Sequence, residues 1–208
     1  MQIIETEVKF YLPDMKSIRK RIIDIGADYK GKAFETNIRF EDIDKSLIQK
    51  KYLLRLRKDT KARLTFKSKP AAQNIENDNQ FKIFNELEVE VSDFATMNLI
   101  LESIGFHKEQ IYEKKRETFV LGHTGFYIDT MPYGDFLEIE GEKEDIKKLS
   151  EQIGLKWEKR ILSTYLEIFD VIRKKSNLSF SDITFDNFEN IKIDFAKKYL
   201  HFFEAGVS

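Results

Sequence analysis

The chain has 208 residues, 41% hydrophobic and 34% charged, and Lys+Arg 35 against Asp+Glu 36 leave a net charge of −1. Near-neutrality excludes a global basic field for nucleic acid or anionic lipid, although a local basic patch stays open. The lack of cysteine excludes disulfides, thiolate metal sites and a thiol nucleophile. The charged share exceeds the roughly 25% usual in soluble proteins, so part of the charge is expected away from an ordinary surface. No apolar run approaches the ~20 residues of a membrane span, and Glu5 comes too early for a signal peptide. A cytoplasmic protein with no membrane and no nucleic-acid partner is expected.

In chain order, residues 3–12 alternate as a strand, with Thr6, Val8, Phe10 and Leu12 on one face and Glu5, Glu7 and Lys9 on the other. Pro13-Asp14 opens a helix marked by Ile18, Ile22 and Ile25 and stopped at Gly26. Residues 33–40 read as a strand with Asn37 and Arg39 on one face, 52–58 as one with Arg55 and Arg57, and 62–67 as one with Arg63, Thr65 and Lys67. The polar segment Ser68–Gln80, with Pro70 and several Asn, is long for a hairpin and is expected to be a mobile lid or a disordered loop. Residues 86–90 alternate again, and Asp93 caps a helix ending at Ile104-Gly105. Strands follow at 113–121, carrying Lys114 and Arg116, at 126–130, carrying Tyr127 and Asp129, and at 136–140, carrying Glu138 and Glu140. A helix ending at Ile153-Gly154 comes next. Three Glu-x-Glu strands, each followed by a helix closing on Ile-Gly, read as a weak internal repeat. After Lys175 a helix is predicted over 187–204, with Phe195, Tyr199, Phe202 and Phe203 as its apolar side. The division is therefore a main domain over 1–174 and a helical appendage over 175–208.

About eight strands with local connections predict an α+β fold: a closed antiparallel β-barrel, or a strongly curved sheet, with helices packed outside. The charged face of one strand ordinarily meets water. Here, however, the strands near 5, 86 and 138 are almost purely acidic, and those near 55, 65 and 114 almost purely basic. Like charges at i and i+2 repel unless something compensates them. A multivalent anion with bound oxygen-loving cations would do so. On pattern alone, an inward charged tunnel and a solvated charged sheet both stay open.

The order of these residues resembles the CYTH superfamily, the triphosphate tunnel metalloenzymes. Glu5-x-Glu7-x-Lys9 matches its opening motif, Leu54-Arg55-Leu56-Arg57 and Leu64-Thr65-Phe66-Lys67 its basic strands, and Glu86-x-Glu88-x-Glu90 its central acidic strand. Lys114-Lys115-Arg116, then Asp129 with Gly134 to Gly141, then Thr164-Tyr165-Leu166 follow in the family's order, so the likeness covers 3–170. Asn37-Ile38 departs from an Asp-Tyr common in the family and removes an inward carboxylate. The tail resembles a bacterial subgroup labelled class IV adenylate cyclase-like.

The resemblance implies a closed barrel holding a triphosphate. It implies Glu5, Glu7, Glu138 and Glu140 as the core carboxylates for one or two Mg²⁺ or Mn²⁺, with Asp129, Glu88 and Glu90 as further candidates. Arg55, Arg57, Lys67, Lys114 and Arg116 would hold the phosphate chain, with Arg39 added. Glu7 and Lys9 are the implied catalytic pair, Lys9 binding phosphate in preference to accepting a proton from water. The leading function is metal-dependent hydrolysis of tripolyphosphate or of a nucleoside or thiamine triphosphate. A class IV adenylate cyclase is the alternative, and a polyphosphate-binding or sensing module the non-enzymatic one. The partner expected is this small-molecule triphosphate; a homodimer is left open.

Overall fold

A computed structural model describes residues 3–70 and 79–204. Its strands are β1 (Ile3–Tyr11), β2 (Asp28–Glu41), β3 (Leu53–Lys58), β4 (Ala62–Ser68), β5 (Lys82–Val91), β6 (His107–Leu121), β7 (Thr124–Met131) and β8 (Gly134–Glu140). They close an antiparallel barrel in the order β1-β5-β4-β3-β2-β6-β7-β8. The helices are α1 (Met15–Asp24), α2 (Ser46–Gln49), α3 (Phe94–Ser103), α4 (Lys143–Gln152), α5 (Tyr165–Ser176) and α6 (Phe195–Lys198). None among the described residues is long and apolar enough to cross a membrane.

Packing of the outer face decides which way the charged faces point. Val8 and Phe10 of β1, Phe126 and Ile128 of β7, and Leu137 and Ile139 of β8 are buried beneath Ile18 and Ile22 of α1 and Ile146 of α4. A second cluster joins Ile38, Phe40 and Leu56 to Leu101 of α3. Each fully buried side chain of this kind contributes roughly 1.5–3 kcal/mol. Since the apolar faces of β1, β2, β3, β7 and β8 pack outward in these clusters, the alternate residues point into the barrel; Leu87 and Val89 on the outer face of β5 stay exposed. The solvated-sheet reading falls on this point.

The three helices after Glu-x-Glu strands end alike. Gly26, at φ 91°, follows α1, its N–H bonding to the Ile23 carbonyl while the Ala27 N–H reaches Ile22. Glycine takes this left-handed conformation without the Cβ clash other residues meet. Gly105 and Gly154 repeat the pattern after α3 and α4. Asp14 and Asp93 cap α1 and α3 through hydrogen bonds from Ser17 and Thr96.

Two expectations need correction. The strands at 33–40 and 113–121 are the later parts of longer β2 and β6, which pair from Asp28↔Val120 to Glu41↔His107 with register shifts at Tyr29/Gly31 and Arg39/Phe40. Those irregularities break the alternation that marks a strand. The tail is not one helix over 187–204. It holds a 3₁₀ turn at Asp186–Phe188, the short α6 and another 3₁₀ turn at Leu200–Phe202. Ile191 and Ile193 both pack on the core at i, i+2 spacing, which suits an extended chain rather than a helix. Asp194 then caps a new start by accepting the Lys197 N–H. The predicted apolar side holds for Phe195 and Tyr199, which are buried, whereas Phe202 is 46% exposed.

The division after residue 174 falls within α5, and the tail shares a core with the barrel. Ile183, fully buried, bridges to Tyr112 of β6. It joins Met131, Tyr133, Phe136 and Phe169 in one cluster. Residues 71–78, most of the segment expected to be a lid or loop, lie outside the described residues.

Candidate functional site

Strand order turns scattered charges into walls. The acidic strands β8, β1 and β5 are contiguous, with Glu7↔Glu140 and Lys9↔Glu138 in register across β1 and β8. The basic strands β4, β3, β2 and β6 follow one another round the rest of the barrel, from Lys67 through Arg55, Arg57 and Arg39 to Lys114 and Arg116. Between the walls lies a cavity of about 720 Å³.

Of the residues predicted for the site, Glu5, Glu7, Lys9, Arg39, Arg55, Arg57, Lys67, Glu88, Lys114, Arg116, Glu138 and Glu140 all line this cavity. Two do not. Glu90 is more than half exposed and pairs with an equally exposed Lys61, because it sits at the outer end of β5 opposite Arg63. Asp129 is wholly buried behind the lining. It takes hydrogen bonds from Lys114 Nζ (2.9 Å), Arg116 Nε (2.7 Å) and Nη2 (2.6 Å), and the Tyr165 hydroxyl (2.9 Å). With its oxygens so occupied, Asp129 orients two cations rather than facing a ligand.

Glu35, Glu86, Lys82, Tyr112 and Tyr165 are among the lining residues that sequence reasoning did not place in the site. Glu35 shares the inward face of β2 with Asn37 and Arg39, so the alternation could have found it. Glu86 belongs to an alternating strand already recognised, but was left out of the donor set. Lys82 stands at the start of β5, beyond the polar segment, and gave no periodic signal. Tyr112 precedes the predicted start of its strand. Tyr165 comes from α5, where strand alternation says nothing. It is delivered by a short cross-pairing in which Ile161 exchanges backbone hydrogen bonds with Lys9 (3.2 and 2.7 Å). A capping box between Thr164 and Glu167 then starts the helix. The Tyr165 ring lies 4.1 Å from Lys9 Nζ and 5.4 Å from Lys114 Nζ.

Each wall carries interleaved opposite charge. Lys82 Nζ reaches Glu7 at 2.5 Å and Lys9 Nζ reaches Glu138 at 2.8 Å. Lys67 bridges Glu5 and Glu86, the latter at 2.7 Å. Arg116 also pairs with Glu138. Arg55 donates to Thr65 Oγ1 (3.1 Å) and the Tyr112 hydroxyl (3.4 Å), but its buried Nε has no hydrogen-bond partner among the described residues. An unused guanidinium donor on a cavity wall suits an anionic ligand.

Electrostatics divide the carboxylates. Burial raises the Glu7 carboxyl, but Lys82, Lys9 and Lys67 outweigh it and hold the group at about 2. Burial likewise opposes Lys9, Lys114 and Arg116 at Glu138, and the cations keep that carboxyl well below the usual range. Glu5 goes the other way, pushed up to about 8 by burial and then by Glu7. Glu140 is pushed up to about 7, again by burial and then Glu7. Ionising both demands more positive charge than the side chains supply.

That demand, with an all-oxygen donor set, fits Mg²⁺ or Mn²⁺. Glu5, Glu7, Glu138 and Glu140 would hold it, with Glu86 and Glu88 beside them. Among the described residues no three such side chains already converge as a metal cage.

A pH dependence follows. Glu5 and Glu140, raised from an ordinary 4.5, bind more protons folded than unfolded between about pH 5 and pH 8. The metal-free protein should lose stability as pH rises through that window. Glu7 and Glu138 stay ionised in both states there and add no slope. Thermal unfolding in chelator is expected to show Tm several degrees higher near pH 6 than near pH 8.5, with Glu5→Gln flattening the profile. An equally steep profile in the variant would remove Glu5 as its source.

A family model described as CYTH domain matches residues 3–165. A Methanocaldococcus jannaschii protein named "Putative adenylate cyclase MJ0240" is 28% identical over 147 residues, 70% of this chain and 81% of the relative. The PH1012 protein of Pyrococcus horikoshii OT3 superposes with TM-score 0.64 at 28% identity, over 80% of this chain and 98% of that one. HpAC1 of Hippeastrum shares the fold at TM-score 0.56 and 18% identity, over 80% and 95% of the two chains.

Proposed function

The chain belongs to the CYTH domain family, and from that premise we propose that it hydrolyses a triphosphate, with Mg²⁺ or Mn²⁺, inside its barrel. The observation that carries the proposal is the pair of opposed walls: an Arg55 Nε without a hydrogen-bond partner among the described residues on the basic side, and Glu5 and Glu140 crowded beyond their ordinary ionisation on the acidic side.

Arg55, Arg57, Arg39, Lys114 and Arg116 bind the phosphoryl oxygens, and Lys67 and Lys9 extend the grip into the acidic wall. Asp129 keeps Lys114 and Arg116 aimed. Glu7 and Glu138 stay ionised in the working range, since each is held low by its lysine partners. A bound divalent cation supplies neutralisation of phosphate charge and polarisation of a phosphoryl oxygen. Water adds to the terminal phosphorus and the bond to the bridging oxygen breaks, giving phosphate and the shortened chain. This chemistry leans on positioning and charge rather than on a covalent nucleophile, consistent with a site lacking Cys and His. The setting we propose is cytoplasmic.

A class IV-type adenylate cyclase is the second reading, favoured by the name of the M. jannaschii relative. HpAC1, also named as an adenylyl cyclase, is described as having a dominant triphosphatase activity, which supports hydrolysis first. Purified protein with Mg²⁺ or Mn²⁺ should release phosphate from at least one of tripolyphosphate, ATP and thiamine triphosphate. Cyclic AMP with pyrophosphate would replace hydrolysis by cyclisation. Binding without turnover of any substrate would leave a polyphosphate-binding module.

A further inference from the structure

Glu35 stands in the middle of the basic wall, 2% exposed. Its carboxylate lies 3.3 Å from Arg57 Nε, 3.6 Å from Lys114 Nζ and 3.8 Å from Arg116 Nε. Despite this company, its Oε2 accepts no hydrogen bond from the described residues. Each neighbouring cation is oriented by a different group. Asn37 Oδ1 takes the Arg57 Nε–H at 2.9 Å, and Asp129 holds Lys114 and Arg116. What Glu35 adds is therefore charge more than orientation.

That charge is permanent across the working range. Burial alone would raise the carboxyl, but Lys114, Arg116 and Arg57 hold it well below the usual carboxylate range. A fixed negative charge among these cations repels any anion they bind, and inside a protein such repulsion is little screened.

We infer that Glu35 is an affinity-setting residue that weakens the basic wall's hold on phosphate, competing with the ligand's oxygens for Arg57, Lys114 and Arg116. Rapid release of the product phosphate follows from that weakening. The inference rests on the triphosphate reading above. The residue offsets the mutual repulsion of the three cations when no anion is bound, and the same charge opposes the anion when it arrives.

Titration calorimetry on the metal-free protein tests it, with tripolyphosphate and inorganic phosphate as probes. Glu35→Gln keeps the side chain's size and removes its charge, and should bind both probes about tenfold tighter. A purely structural role predicts the opposite sign. Asn37→Asp places a second carboxylate at the next inward position of β2, beside Arg57, and should bind about tenfold more weakly, which tests the idea even if Glu35→Gln does not fold. Unchanged or weaker binding by a folded Glu35→Gln, or unchanged or tighter binding by Asn37→Asp, overturns the inference alone. Wild-type protein that binds neither probe sinks the triphosphate reading, and the inference with it.

Discussion

Glu7→Gln is expected to lower metal-dependent triphosphate turnover by about 10²-fold or more, the scale on which a charge aimed at the reacting group acts. Glu7 is buried, faces Glu140 across the β1–β8 ladder, and is held ionised by Lys82. Glutamine keeps the shape and an accepting oxygen, so Lys82 retains a hydrogen bond but loses its counter-charge. The fold should survive with a stability loss of about 1–3 kcal/mol. Phosphate release at saturating Mg²⁺ or Mn²⁺, with a thermal melt as control, reads both effects. A folded variant with full turnover would take Glu7 out of the site.

Arg116→Ala is expected to cause the largest loss of stability. The guanidinium donates twice to Asp129 and once to Glu138, and it lies over the Tyr127 ring at 4.5 Å. Its removal strips a buried carboxylate of its bidentate partner, leaving Lys114 and the Tyr165 hydroxyl to compensate. Breaking a buried pair from one side costs about 3–5 kcal/mol, or on the order of 10 °C in Tm for a chain of this size. Triphosphate affinity should fall with it. Arg116→Lys keeps the charge without the fork and should land between the two. An alanine variant melting within about 2 °C of wild type would show that Asp129 does not depend on Arg116.

These two side chains differ in how they could be found. Glu7 was legible because β1 alternates without interruption from Glu5 to Lys9. Arg116 was legible as an inward base, but its partner Asp129 was misplaced. Alternation gives the face on which Asp129 lies; it does not say that Lys114, Arg116 and Tyr165 enclose it there. Glu90 failed for a related reason. It has the parity of Glu86 and Glu88, yet lies far enough along β5 to reach solvent beside Lys61. Distance along the barrel axis is not a property of parity. In the tail, the aromatic spacing of Phe195 and Tyr199 suggested a long helix, but packing of Ile191 and Ile193 against the barrel core overrode it.

The sequence by itself determined which residues carry charge, which strands alternate, where α1 and α3 start and stop and where α4 stops, and that one face is mostly acidic in three strands and mostly basic in three others. All of these are local properties, set by the two-residue period of a strand and the end chemistry of a helix. Only the tertiary structure decided that β8, β1 and β5 stand side by side as an acidic wall, although Glu7 and Glu138 are 131 positions apart. Pairing across such separations depends on closure of the whole barrel and on helices that bury its outer face. Closure and that outer packing together turn the charged faces inward and bring Glu35 among three cations.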